Sequence, residues 1–115
     1  MSRSRYIPDR GDLVWLNFLP QAGHEQAGRR PAVVISPKAY NRPTQLALVC
    51  PVTSRSKGYP VEVLIPKTAA IQGVILADQL KSLDWRARKA EFAGRLDATT
   101  LTEVAGKVMA LLADD

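Results

Sequence analysis

The sequence predicts a mainly β domain, a small barrel or strongly bent sheet with one helix packed on it. Three observations carry this. Six short runs with strand patterning are separated by Pro, Gly and Asn turn signals. Apolar residues recur at helical spacing in one place only, the C-terminal segment. The 115 residues, 46% hydrophobic and 23% charged, suffice for one core without metal or disulfide staples, so residues 1–115 are expected to form one domain.

The first strand runs from Gly11 to Leu19, with Leu13, Trp15, Asn17 and Leu19 on one side and Val14, Leu16 and Phe18 on the other. Both sides are largely apolar, which predicts a central strand with Trp15 in the core. Pro20 to Pro31 is a loop. Ala32 to Ser36, β-branched and apolar, is a buried strand, and Pro37 to Gln45, with two prolines and Asn41, is a connection. Leu46 to Thr53 alternates as a strand, although Pro51 lacks an amide hydrogen and argues for an edge or a bulge there. Ser54 to Gly58 is a polar, basic turn, and Pro60 to Ile65 is a further strand. After a connection over Pro66 to Gln72 and a glycine at 73, Val74 to Leu83 is a strand that turns polar in its second half. Asp84 to Arg88 forms one turn, and Ala90 to Leu96 is a last strand with Phe92 pointing inward. Asp97 is a suitable N-cap for a helix carrying Leu101, Val104, Val108, Leu111 and Leu112.

Composition narrows the chemistry. Cys50 is the only cysteine, so no intrachain disulfide forms, and its apolar neighbours predict a buried thiol in a reducing, cytoplasmic setting. No apolar run approaches bilayer length and no secretory signal core follows Met1, so no membrane association is expected. One Cys and one His, His24, cannot build structural zinc, the acids show no clustered metal pattern, and no glycine-rich phosphate cradle is present, so no metal or cofactor is expected. Sixteen basic against eleven acidic residues give a net charge of +5, which favours a polyanionic partner.

The stretch Gly23-His24-Glu25-Gln26-Ala27-Gly28-Arg29-Arg30-Pro31 sets ionisable groups between two glycines just before a buried strand. It reads either as a loop presenting reactive side chains or as a solvated hairpin loop. Together with Thr53 and Ser54 at a strand end, it offers carboxylate, guanidinium and hydroxyl groups. Such a set suits RNA cleavage, because the 2′-hydroxyl attacks its own neighbouring phosphate. The protein then has only to accept a proton, hold geometry and stabilise phosphoryl charge, and arginine matches a phosphate edge bidentately.

Several segments in fixed order resemble the MazF branch of the MazF/PemK toxins: Pro8-Asp9-Arg10-Gly11-Asp12-Leu13-Val14-Trp15, the loop from Gly23 to Gly28, Arg30-Pro31-Ala32-Val33-Val34, Pro51-Val52-Thr53 with Ser56-Lys57-Gly58-Tyr59-Pro60, and Asp78-Gln79-Leu80-Lys81-Ser82 with Trp85-Arg86-Ala87-Arg88. The resemblance weakens after Ala90. It implies an SH3-like barrel of the MazF/CcdB-like toxin fold. The implied function is a sequence-specific, metal-independent endoribonuclease toxin that cuts single-stranded RNA to 2′,3′-cyclic phosphate and 5′-hydroxyl ends. The implied assembly is a homodimer whose groove receives the RNA, with an acidic antitoxin whose disordered segment occupies that groove.

Carried over residue by residue, the resemblance assigns catalysis to Glu25, Arg30 and Thr53. Arg30 neutralises the pentacoordinate phosphate, Thr53 donates its hydroxyl to a non-bridging oxygen, and Glu25 either takes the 2′-hydroxyl proton or reads a base edge. Close relatives often place histidine where this chain has Arg29, so an imidazole shuttle is absent there and Arg29 is expected to bind phosphate. A guanidinium holds its proton too tightly to be a good general acid at neutral pH. With no imidazole at position 29, proton transfer to the leaving oxygen is assigned to water or, in an environment that loosens its proton, to Arg30, and His24 to shaping the turn. Lys57, Lys81 and Arg86 are candidate phosphate contacts, and Ser54 and Gln79 candidate base contacts. Asp78 is structural, because the arginine that would partner it in PemK-type proteins is Leu76 here. The other reading is a non-catalytic nucleic-acid- or protein-binding barrel, such as a gyrase-inhibiting relative, which would tolerate separation of these groups.

Overall fold

The computed structural model describes residues 5–18 and 28–113, and the sheet is organised around its longest strand, β3 (Leu46–Thr53). Along one edge β3 pairs antiparallel with β2 (Arg29–Val34), in register from Val34↔Val49 to Ala32↔Pro51. Along its other edge the first half pairs with β6 (Lys81–Asp84) and the second half with β5 (Val74–Leu76). Pro51 sits where the ladder passes from one partner to the other, a position that asks nothing of its missing amide hydrogen. The remaining strands are β1 (Asp12–Asn17), β4 (Glu62–Leu64) and β7 (Glu91–Arg95), giving the order β4-β5-β3-β2-β1-β7 with β6 beside β3. A bulge between Leu13 and Val14 bends the β1–β7 ladder.

Both faces of the central strands are buried, which is why their sequence reads as nearly continuous hydrophobic runs. On one face Leu13, Val33, Cys50, Val52 and Ile75 pack with Val104 and Val108 of helix α2 (Ala98–Leu112). On the other, Val14, Leu16, Ala32, Val34 and Val49 lie under Leu83 and Trp85, with Tyr6, Ile7 and Phe18 packed against them. Each such aliphatic side chain contributes ~1.5–3 kcal/mol by leaving water. The Cys50 thiol is fully buried and is pushed up to about 12, first by desolvation and then by the Asp78 charge. Asp97 caps α2 as expected: its carboxylate accepts from the Thr100 amide at 3.0 Å and the Thr100 hydroxyl at 2.7 Å, and these bonds hold it below the usual carboxylate range.

Several expectations need correction. Residues 37–45 are not a plain connection but contain helix α1 (Lys38–Thr44), despite an internal Pro43. Long-range hydrogen bonds hold it rather than propensity. The fully buried Asn41 donates from Nδ2 to the Pro8 carbonyl at 2.8 Å and the Ser36 carbonyl at 2.9 Å, and accepts from the Ser36 hydroxyl at 2.6 Å. Trp85 Nε1 then donates to the Asn41 carbonyl at 2.9 Å.

The single strand expected over residues 74–83 is two, β5 and β6, separated by a 3-10 turn at Ala77–Gln79, so the sheet has seven strands. The two strands take successive halves of β3, and the chain jogs between them. β2 begins at Arg29, which places Arg29, Arg30 and Pro31 on a strand rather than in a loop. Trp15 and Phe92, expected inside, are 39% and 49% exposed, and Leu111 and Leu112 near the end of α2 are exposed as well. No helix among the described residues is long and apolar enough to cross a membrane.

Candidate active site

Strand register carries two of the three candidate catalytic residues to the same end of the β2–β3 ladder. The β2–β3 ladder runs Val34↔Val49, Val33↔Cys50, Ala32↔Pro51. Arg30 lies two residues before Ala32 and Thr53 two residues after Pro51, so both stand just past the same end of this ladder. Arg30 is opposite Leu16 on β1, and Thr53 opposite Val74 on β5, so both sit on paired strands rather than mobile turns. The Arg30 side chain is exposed, and among the described residues it has no carboxylate partner, which leaves its guanidinium available to an anion. Thr53 Oγ1 accepts from the Arg55 amide at 3.1 Å, which leaves the hydroxyl proton free to be donated. Glu25 and His24 lie outside the described residues.

The turn after Thr53 is organised by a residue that sequence reading passed over as one side of a strand. The Glu62 carboxylate accepts from the Ser56 hydroxyl at 2.7 Å, the Lys57 amide at 2.9 Å and the Gly58 amide at 3.2 Å. These bonds hold Glu62 below its ordinary range, the Ser56 hydroxyl contributing most. Gly58 takes φ +75, a left-handed conformation that suits glycine. With the backbone so fixed, the exposed Ser54 and Lys57 project from a defined turn next to Thr53. Lys81 opens β6 opposite Val49, on the same sheet face as Thr53, and Gln79 is exposed in the preceding turn. Asp78 beside it is exposed too.

Arg29 is tied more firmly than sequence reading suggested. Its guanidinium donates to Asn17 Oδ1 at 3.2 Å and forms an ion pair with Glu91 at 3.0 Å. An RNA phosphate at Arg29 therefore competes with Glu91. Arg86 stands in the 85–89 turn, where it lines a cleft with Arg29, Arg42 and Lys89.

The residue missed is Arg88. Its Nη1 donates to the Asn17 carbonyl at 3.1 Å and the Phe18 carbonyl at 2.6 Å, while its own carbonyl accepts from the Asn17 amide at 3.0 Å. The Phe18 amide reaches the Gly28 carbonyl at 2.8 Å, so the two ends of the 19–27 segment that carries Glu25 are fastened to each other and to Arg88. Within the Trp-Arg-Ala-Arg motif it is thus the second arginine that bonds where the chain enters this segment. Nothing in residue type distinguishes the two; only the register of β1 against β7 does. Among the described residues, no three Asp, Glu, His or Cys side chains gather in a way that holds a metal ion.

Comparison with known proteins identifies the family. The profile of the family described as "PemK-like, MazF-like toxin of type II toxin-antitoxin system" matches residues 9–112. The chain is 49% identical over 109 residues to the Endoribonuclease toxin MazF of Escherichia coli K12, covering 95% of this chain and 97% of that protein. It superposes on MazF from Deinococcus radiodurans with a TM-score of 0.85 at 60% identity, covering 93% of this chain and 97% of that one. For a MazE–MazF crystal structure from the same organism the TM-score is 0.86 at 57% identity, over the same shares of both chains. A match across nearly the whole chain, together with the seven-stranded sheet closed by α2, shows that this chain belongs to the PemK-like, MazF-like toxins of type II toxin–antitoxin systems.

Proposed function

We propose that this chain is an endoribonuclease toxin that cuts single-stranded RNA without a metal ion. The observation that supports the reading is that Arg30 and Thr53 both stand just past the same end of the β2–β3 ladder, with the Arg30 side chain exposed and, among the described residues, Thr53 Oγ1 accepting only from the Arg55 amide. The RNA 2′-oxygen attacks the adjacent phosphorus, a 2′-O–P bond forms, and the P–O5′ bond breaks. Arg30 compensates the charge that grows on the non-bridging oxygens, and Thr53 donates to one of them. Glu25 accepts the 2′-hydroxyl proton, and water or Arg30 supplies the proton to the departing 5′-oxygen. The products are a 2′,3′-cyclic phosphate and a 5′-hydroxyl. Lys57, Lys81 and Arg29 attract the backbone, and Ser54 and Gln79 meet unstacked bases.

The working unit is proposed to be a homodimer of the single 1–115 domain. Leu64, 71% exposed, lies in the same cross-strand row as Val74 and Thr53, so apolar surface borders the site. A second copy covering that surface would make a groove over Arg30 and Thr53. An acidic antitoxin segment would fit the same groove and exclude RNA, in keeping with the MazE–MazF complex of the Deinococcus relative. The cytoplasm is the compartment that holds both such partners. Purified protein incubated with a long single-stranded RNA in excess EDTA is expected to yield discrete fragments, and Arg30→Ala none. Intact RNA with wild type would favour the non-catalytic barrel instead.

A further inference from the structure

A second concave surface lies around Arg29, and Arg29 alone among its residues has a part in the cleavage scheme above. It is a cleft of about 1140 Å³ whose rim carries Arg5, Arg29, Arg42, Arg86 and Lys89 against one carboxylate, Glu91. Five of the chain's sixteen basic residues thus converge on one hollow. Glu91 is engaged by Arg29, and among the described residues the side chains of Arg5, Arg42, Arg86 and Lys89 have no carboxylate partner. The wall between them is aromatic. Phe92 is 49% exposed and is held edge-on by Tyr6, with ring centroids 5.7 Å apart.

The backbone adds an independent observation. Among the described residues only two non-glycine residues adopt positive φ, Gln45 at +60 and Lys89 at +54, and both line this cleft. Gln45 closes α1, which accounts for its conformation. Lys89 ends the 85–89 turn, where glycine would fit without strain. A lysine in this conformation carries a cation to the cleft at a conformational cost, the pattern expected where function overrides local preference.

We propose that this cleft is an accessory binding site for the backbone of single-stranded RNA flanking the cut, with Phe92 as a stacking face for an unpaired base. The proposal rests on the RNA-cleaving reading above and extends it to substrate outside the catalytic groove. Cations interleaved with an exposed aromatic ring are what a sequence-tolerant single-strand surface requires. An acidic peptide would be served by the cations alone and gives no role to the ring.

The test compares a short oligoribonucleotide spanning the cut site with the same sequence extended by unpaired nucleotides, using wild type and the double variant Arg42→Ala, Lys89→Gly. Both replacements suit their backbones, and Lys89→Gly relieves the positive φ, so the variant is expected to unfold no earlier than wild type. Wild type should show a lower KM for the extended RNA, and the variant should lose that advantage while cutting the short RNA with unchanged kcat and KM. Losing two phosphate contacts lowers the salt slope of log K by about 1.4, so raising salt from roughly 50 to 200 mM should cost wild type about sevenfold more affinity for the extended RNA than it costs the variant. A length advantage that survives in the variant, or is absent from wild type, overturns the proposal. If wild type shows no length advantage but binds polyglutamate in a manner the variant loses, the cleft belongs to an acidic protein. Failure of wild type to cut either RNA would instead defeat the underlying reading of the protein as a ribonuclease.

Discussion

Replacing Arg88 with alanine separates the chemistry of the site from its support. The guanidinium makes two hydrogen bonds, to the Asn17 carbonyl at 3.1 Å and the Phe18 carbonyl at 2.6 Å, where the chain enters the 19–27 segment. Hydrogen bonds from a charged donor are worth ~1.5–3 kcal/mol each. Here one nitrogen serves both acceptors and the side chain is only part-buried, so the pair together contributes about 2 kcal/mol.

The β1–β2 ladder from Leu13↔Val33 to Asn17↔Arg29 survives the substitution, so the loss falls mainly on the freedom of the loop. We expect Arg88→Ala to lower kcat/KM for RNA by about 10- to 100-fold, equivalent to ~1.4–2.8 kcal/mol at the transition state. Its Tm should drop by less than about 8 °C. Arg88→Lys, which keeps a cation but not the planar fork, should recover part of the rate. The measurement is steady-state cleavage of a fluorogenic oligoribonucleotide beside thermal unfolding of the same samples. Wild-type kcat/KM in a folded Arg88→Ala protein would refute the argument that fastening the loop ends positions Glu25.

Other consequences follow from the same structure. Asn41→Ala leaves the Ser36 hydroxyl and two backbone carbonyls without their buried donor or acceptor, and should cost ~2–4 kcal/mol, read as a lower midpoint in urea with unchanged slope. Native Cys50, whose thiol is buried and pushed up to about 12, should resist alkylation at pH 8 and react promptly in denaturant. Stability should also depend on pH at both ends. Hydrogen bonds hold Asp9, Glu62 and Asp97 below their ordinary values of 3.8, 4.5 and 3.8, so their contribution is complete at neutral pH and is lost as pH falls through about 4.5 and below. The thiol works in the opposite sense: burial raises it, which favours the folded state below its ordinary value of 9.0, and that contribution is lost as pH rises from there toward 12. Urea midpoints measured across pH should fall on both flanks.

What the sequence made legible was periodicity and punctuation. The alternation through Leu46–Thr53, the apolar run before Ser36 and the Asp97 cap each announced an element that the structure contains. Misplaced elements were those whose structure is decided by distant partners. Helix α1 depends on Asn41 bonding to Pro8 and Ser36 and on Trp85 donating to Asn41, none of it readable from Pro43 and its neighbours. The break between β5 and β6 follows from β3 changing partner at Pro51, where the proline itself hinted at an irregularity but not at its form. At the site, local sequence supplied the residue types, and register alone set Arg30 and Thr53 past the same end of the β2–β3 ladder. Trp15 and Phe92 were assigned to the core because size and apolarity predict burial on average. An exposed aromatic is informative for that reason, and Phe92 proved to line the basic cleft.

The most direct test of the account is the chemistry of the cut ends when wild type, Arg30→Ala and Thr53→Ala digest a defined single-stranded RNA in excess EDTA. Mass spectrometry of the wild-type fragments should show 2′,3′-cyclic phosphate and 5′-hydroxyl termini, with Arg30→Ala inactive and Thr53→Ala strongly slowed. Fragments bearing 5′-phosphate, cleavage that EDTA abolishes, or an Arg30→Ala protein as active as wild type would contradict it.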